Sequence, residues 1–303
     1  MALVQRAKVT QQTTFEDVAD LIFKMAINEA SLSTRLDIVF DRYWDKSIKY
    51  PERVNRGSGT CGLKVQNVAP RQMIKQWRKF LSEDANKTSL VKFLADEWRG
   101  EKYQEKLAQL RTVVYFTCED RCFRLTGVRC LEVPELQCWQ EEADGRMLLH
   151  AHHAVKEGYE AVVLSSEDTD VFVLSLACSS VIPAPLFQKK RTPTRTHLID
   201  VKQTAESLGS DVCEALVGMH AYTGCDSVSA FAGKGKASTL KTIKTDGTVR
   251  RAFCELGQSW EVTDELFQKL ESFTCRLYAP RETVSDVNEL RYRVFSAKNG
   301  DVE

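Results

Sequence analysis

Read from its N-terminus, the chain first shows a helical period. Thr14 precedes Phe15–Ala30, in which Val18, Leu21, Ile22, Met25 and Ala26 recur on one face. Asp17 stands three residues after Thr14, the spacing of a capping box. Leu36-Asp37-Ile38-Val39-Phe40 then reads as a short apolar strand ending at Asp41. The polar stretch 42–60 is broken by Gly57 and Gly59, and helices are expected over 70–81 and 88–107. Thr112–Thr117 is β-branched and aromatic, and 119–135 can add a hairpin. A helix over 140–157 closes at Gly158, and Ala161–Ser165 is a buried-type strand turning at 166–170. Val171–Leu176 predicts a further helix and Leu198–Val201 a further strand. Beyond them the pattern is helical: 210–221, 236–245, 249–257 and 263–273. After Pro280 the chain is charged and shows no packing pattern.

Short apolar strands alternating with helices predict an α/β fold built on a parallel sheet covered on both faces. Residues 1–279 are expected to form one domain with a helical extension over 210–279, followed by a flexible tail over 280–303. At 43% hydrophobic the chain can bury a core. Its 42 basic and 42 acidic residues cancel, so any nucleic-acid contact needs a local patch rather than a global field. No run is long and apolar enough to cross a bilayer. Ten scattered cysteines without a secretory leader fit reduced thiols in the nucleus or cytoplasm.

Parallel sheets present ligands at the carboxyl ends of their strands. Here those ends carry acids: Asp41 after one strand, and Asp168 and Asp170 after another. Glu141, Glu142 and Asp144 open the helix between them, and Asp226 lies in the turn Thr223-Gly224-Cys225-Asp226-Ser227. Phosphodiester cleavage needs an activated water and neutralisation of developing charge. One or two Mg2+ or Mn2+ ions, held by oxygen ligands, supply both. Each acid alone reads equally as a helix cap or dipole partner. Asp37 is expected to be structural or solvated, because strand alternation turns it away from the surroundings of Phe40.

Three strings in order, Glu142-Ala143-Asp144, Ser166-Glu167-Asp168-Thr169-Asp170 and Gly224-Cys225-Asp226-Ser227, resemble the internal nuclease region of flap-endonuclease and XPG-type members of the PIN-like superfamily. The string His220-Ala221-Tyr222-Thr223-Gly224-Cys225-Asp226 is closest to an uncharacterised branch seen in mobile-element-rich animal genomes. The resemblance spans Leu3 to about Phe273. It implies a Rossmann-like PIN fold with Glu142, Asp144, Asp168, Asp170, Asp226 and Asp41 as metal ligands. It also implies that Lys49 and Arg56 meet the scissile phosphate. Gly233-Lys234-Gly235-Lys236 resembles the turn of a helix–two-turn–helix, in which glycine lets amides approach a DNA phosphate. The implied activity is hydrolysis of DNA or RNA with single-stranded character.

Three departures stand beside this. No candidate for the family's first metal Asp precedes the 15–30 helix, so a strand and its Asp are expected to lie upstream of Met1. Asp144 stands where the family often has Glu, and Ser227 where it usually has an aromatic. The missing Asp favours a second reading, a catalytically dead PIN-like module that binds nucleic acid or protein. A third is a haloacid-dehalogenase-like phosphohydrolase with Asp168 as nucleophile. Cys118, Cys122, Cys130 and Cys138 ahead of His150, His152 and His153 could make a zinc site, but no Cys-x-x-Cys is present. Lys189-Lys190-Arg191 reads as a basic loop.

Overall fold

A computed structural model describes residues 1–30, 33–43, 65, 67–192 and 195–299. The fold is mixed α/β, and the chain divides into two compact units, Met1–Gly158 and Tyr159–Glu303.

The first unit opens with α1 (Ala2–Gln5) and α2 (Phe15–Glu29). Thr14 Oγ1 accepts the Asp17 amide while Asp17 accepts the Thr14 amide, forming the capping box read in the sequence and worth about 1 kcal/mol. Strand β1 (Arg35–Ile38) follows, then α3 (Trp77–Ser82), α4 (Asp84–Trp98) and α5 (Glu101–Ala108). The long helix expected over 88–107 is broken at Gly100, whose backbone is extended where α5 begins. Strands β2 (Val113–Cys118), β3 (Arg121–Leu125) and β4 (Cys130–Glu132) precede α6 (Ala143–Lys156). The sheet order is β1-β2-β3-β4, with β1 and β2 parallel and the remaining pairs antiparallel. Phe15, Phe23, Trp98 and Phe116 anchor the core, and Trp98 Nε1 donates to the Ala19 carbonyl at 3.2 Å.

The second unit contains β5 (Val162–Ser165), α7 (Thr169–Ala177), β6 (Leu186–Arg191), β7 (Thr196–Asp200) and α8 (Val201–Leu208). Helices α9 (Ser210–Tyr222), α10 (Lys236–Thr245), α11 (Gly247–Glu255), α12 (Asp264–Tyr278) and α13 (Val287–Asn299) complete it. β5 pairs parallel with β6, and β6 antiparallel with β7. Phe253 packs edge-on against Phe273 at 5.1 Å and Tyr222 at 5.8 Å, joining α9, α11 and α12.

Two expectations are corrected. Lys189-Lys190-Arg191 lies on β6, not a loop, because Leu186 and Gln188 alternate inward there. The stretch after Pro280 is not featureless: Val284 and Leu290 bury against Cys275, and 287–299 is helical. The apolar positions there are too sparse to stand out in sequence against the surrounding charges. The parallel pairs expected from the alternating pattern are present, but each belongs to a small mixed sheet. No helix among the described residues is long and apolar enough to cross a membrane.

Candidate metal and phosphate site

In the first unit, Asp41 follows β1 by three residues. Its Oδ1 accepts the backbone amide of Ala143 at 3.0 Å, and the Arg42 amide donates to the Glu141 carbonyl at 2.6 Å. The chain leaving β1 is thereby tied to the start of α6, where Glu142 is the N-cap residue and Asp144 sits in the first turn. The structure thus brings Asp41 to the helix end that carries Glu142 and Asp144. Acids there also complement the positive end of the helix dipole, so their clustering has a structural benefit as well. Lys49 and Arg56 lie outside the described residues.

In the second unit, Asp168 caps α7: its Oδ1 accepts the Asp170 amide at 2.9 Å, while its own amide donates to Ser166 Oγ. That use of the Asp168 carboxylate is the ordinary one for an N-cap, and it leaves the nucleophile role of a dehalogenase-like enzyme without specific geometric support. The turn is held from β6 by Gln188, fully buried, whose Nε2 donates to the Ser166 and Asp168 carbonyls at 2.9 and 3.1 Å. Asp170 then faces α9, where His220 Nε2 meets its Oδ1 at 2.9 Å. A carboxylate only accepts, so Nε2 carries the hydrogen. The other ring nitrogen, Nδ1, is buried with no hydrogen-bond partner.

Just beyond α9, Gly224 adopts φ +108°, and a Cβ there would stand 2.6 Å from Ala230 Cα. Only glycine fits both constraints. Cys225 and Val228 exchange backbone hydrogen bonds of 3.1 and 3.2 Å across this turn, leaving Asp226 exposed at its tip. Lys236 locks the turn from below. Its Nζ donates to the His220 carbonyl at 2.8 Å, to Thr223 Oγ1 at 3.1 Å and to the Gly224 carbonyl. Burial pushes the Lys236 amine below its usual value. An ammonium with three donors on three protein oxygens has none left for a phosphate. The expected nucleic-acid contact from Lys236 is therefore a helix C-cap instead. Gly233 (φ +69°) and Gly235 have open space where a side chain would stand, and Lys234 lies over the Tyr278 ring at 5.3 Å.

Sequence reasoning missed His220 as a partner of Asp170, although it lies in the most distinctive string. It missed Gln188 entirely, since a single amide in a basic strand gives no signal. The zinc alternative meets an electrostatic objection: burial pushes the Cys118 thiol up to about 11 and Cys122 up to about 12, away from the thiolate that a metal needs. Among the described residues, no group of three or more His, Cys, Asp or Glu is already gathered as a cage. Neither a protein-family model nor a curated protein matches this chain.

Proposed function

We propose that this chain is a PIN-like, Rossmann-type nuclease domain that hydrolyses phosphodiester bonds of DNA or RNA with single-stranded character, using Mg2+ or Mn2+. The observation that carries the reading is local to the second unit. Asp170, in the first turn of α7, contacts His220, and Lys236 clamps the Gly224-Cys225-Asp226 turn that follows that histidine. Asp170 and His220, fifty residues apart in sequence, thus meet beside the Gly224-Cys225-Asp226 turn. The oxygen donor set suits hard divalent cations. Asp170 Oδ2 accepts no hydrogen bond from a described residue and is open to such an ion.

In this reading Asp168, Asp170 and Asp226 hold an ion in the second unit, and Asp41, Glu142 and Asp144 are the candidate ligands of the first. A bound ion supplies charge neutralisation and an acidified water. His220 fixes the rotamer of Asp170, and Gln188 fixes the turn that presents Asp168 and Asp170. Gly233, Lys234 and Gly235 meet the nucleic-acid backbone, and Lys49 and Arg56 stabilise the phosphate as charge builds. The test is cleavage of flap, hairpin and single-stranded substrates with magnesium, with manganese and with chelator, by the wild-type chain and by Asp170→Asn. Metal-dependent cutting lost in Asp170→Asn supports the reading; cutting that survives chelator removes it.

One observation favours a second reading, a nucleic-acid-binding module without hydrolytic activity: His220 already occupies one oxygen of Asp170. Nucleic-acid binding with no cutting in either metal is its signature.

A further inference from the structure

Two stretches of the first unit are basic within a charge-balanced chain. Residues 1–15 and 69–82 contain Arg6, Lys8, Arg71, Lys75, Arg78 and Lys79 and not one Asp or Glu. The fold stitches them together. The Phe15 and Glu16 amides donate to the Gln72 and Pro70 carbonyls at 3.2 and 3.0 Å, and the Ile74 amide donates to the Thr13 carbonyl at 3.0 Å. Between them lies a cleft of about 640 Å³, walled by residues 5–10 on one side and 76–79 on the other. Arg6 is spent on an exposed pair with Glu29 at 3.2 Å. Lys8, Arg78 and Lys79 also line the cleft, are exposed, and make no ion pair with a described residue.

Trp77, in the same wall, supplies an independent sign of a ligand. It is only 9% exposed, and its indole Nε1 is buried without an acceptor. A buried orphan donor costs about 1–3 kcal/mol unless something accepts from it. The Trp77 ring stacks on Phe80 at 5.7 Å and 7°, which commits that face to the core, while the Nε1–H is left without a partner.

We infer that this cleft binds the phosphodiester backbone of single-stranded nucleic acid. Lys8 engages phosphates from one wall and Arg78 and Lys79 from the other, while Trp77 Nε1–H donates to a phosphate oxygen. Cations facing each other across an open cleft suit a chain of phosphates passing between them. With the Trp77 ring only 9% exposed, recognition falls on the backbone and not on base stacking. None of the acids of the proposed metal sites lines the cleft, so binding here requires no metal.

The test is fluorescence anisotropy of a labelled oligothymidylate of about 12 nucleotides with the full chain in excess chelator, between about 50 and 200 mM salt. The Lys8→Ala/Arg78→Ala/Lys79→Ala triple variant is expected to bind at least about tenfold more weakly. The slope of log K against log salt should shrink by about 2. Trp77→Phe keeps the ring and removes only the donor; it should weaken binding several-fold without moving the melting temperature. Lys189→Ala/Lys190→Ala/Arg191→Ala should stay within twofold of wild type. The inference is overturned by wild type that does not bind, by a cleft triple that binds as wild type does, or by a control triple that loses as much. Displacement by adenosine triphosphate at equimolar concentration also overturns it in favour of a mononucleotide site. Because chelator is present throughout, this result does not depend on the metal reading, whose failure shows separately in the cleavage assay with magnesium and manganese.

Discussion

Each unit of the molecule contains one close aspartate–histidine pair, and the two are chemically alike. In the first, His150 Nδ1 donates to Asp37 Oδ1 at 2.7 Å; in the second, His220 Nε2 donates to Asp170 Oδ1 at 2.9 Å. Each histidine leaves its other ring nitrogen buried and unpartnered. What differs is the rest of the carboxylate. Arg35 grips Asp37 with Nε on Oδ2 at 2.8 Å and Nη2 on Oδ1 at 2.9 Å, stacks its guanidinium 3.9 Å above Tyr115, and reaches His153 Nδ1 at 3.1 Å. Asp37 is saturated by donors within the fold. Asp170 sits in the first turn of α7, its side chain 29% exposed, and its Oδ2 accepts no hydrogen bond from a described residue. The count of donors on each carboxylate, more than the pairing itself, is what distinguishes the two pairs.

The largest expected effect comes from neutralising each aspartate in turn. Asp170→Asn should cut metal-dependent hydrolysis about a thousandfold, the consequence of losing several kcal/mol of charge stabilisation, while thermal melting barely moves. Asp37→Asn should do the reverse. It strands a buried Arg35 and costs about 3 kcal/mol, roughly 10 °C of melting temperature for a unit the size of Met1–Gly158. Equal melting losses in the two variants would erase the distinction drawn above.

The same contrast has a pH signature. Burial alone would push the Asp37 carboxyl up, but hydrogen bonds from His150 and Arg35 outweigh it and hold Asp37 below its usual 3.8. A carboxylate depressed on folding stabilises above its unfolded value and loses that stabilisation as pH falls through the folded one. Acid titration followed by near-ultraviolet circular dichroism should therefore show the first unit losing stability below about pH 4. In Asp37→Asn that acid limb should be flatter, from an already lower plateau.

Gly224→Ala probes the turn that places Asp226. With φ at +108° and Ala230 in the way, it should cost about 2 kcal/mol, read as a lower urea midpoint for the second unit. The smallest effect is expected at His220. His220→Gln keeps a donor near Asp170 and should lower apparent manganese affinity less than tenfold, whereas His220→Leu should lower it by about tenfold or more. A histidine that merely packs would show the opposite ranking, since Leu fills the space better than Gln.

How far the sequence could be read follows the same physics. The capping box at Thr14 and Asp17, the β1 and β2 strands, and α9 and α10 were legible because local periodicity and end signals decide them. Strand β6 was not: Gln188 and Lys189 look like loop residues until a parallel neighbour, β5, gives their backbone partners and Gln188 a turn to hold. Of the acids, Asp41 was legible as a strand-end residue, but its hold on the α6 amide is a contact over a hundred residues apart in sequence. Lys236 shows the limit most plainly. Its spacing beside two glycines suggests a phosphate contact, and only the fold shows that its ammonium is already surrounded by carbonyls.

The central claim is that the second-unit carboxylates, and not the saturated Asp37, take up a divalent cation. Adding Mn2+ to isotopically labelled protein and following paramagnetic broadening of backbone amides tests it most directly. Selective broadening around Asp168, Asp170 and Asp226, abolished by Asp170→Asn and absent around Asp37 and His150, is the predicted result. Broadening that ignores Asp170, or that centres on Asp37, contradicts the account.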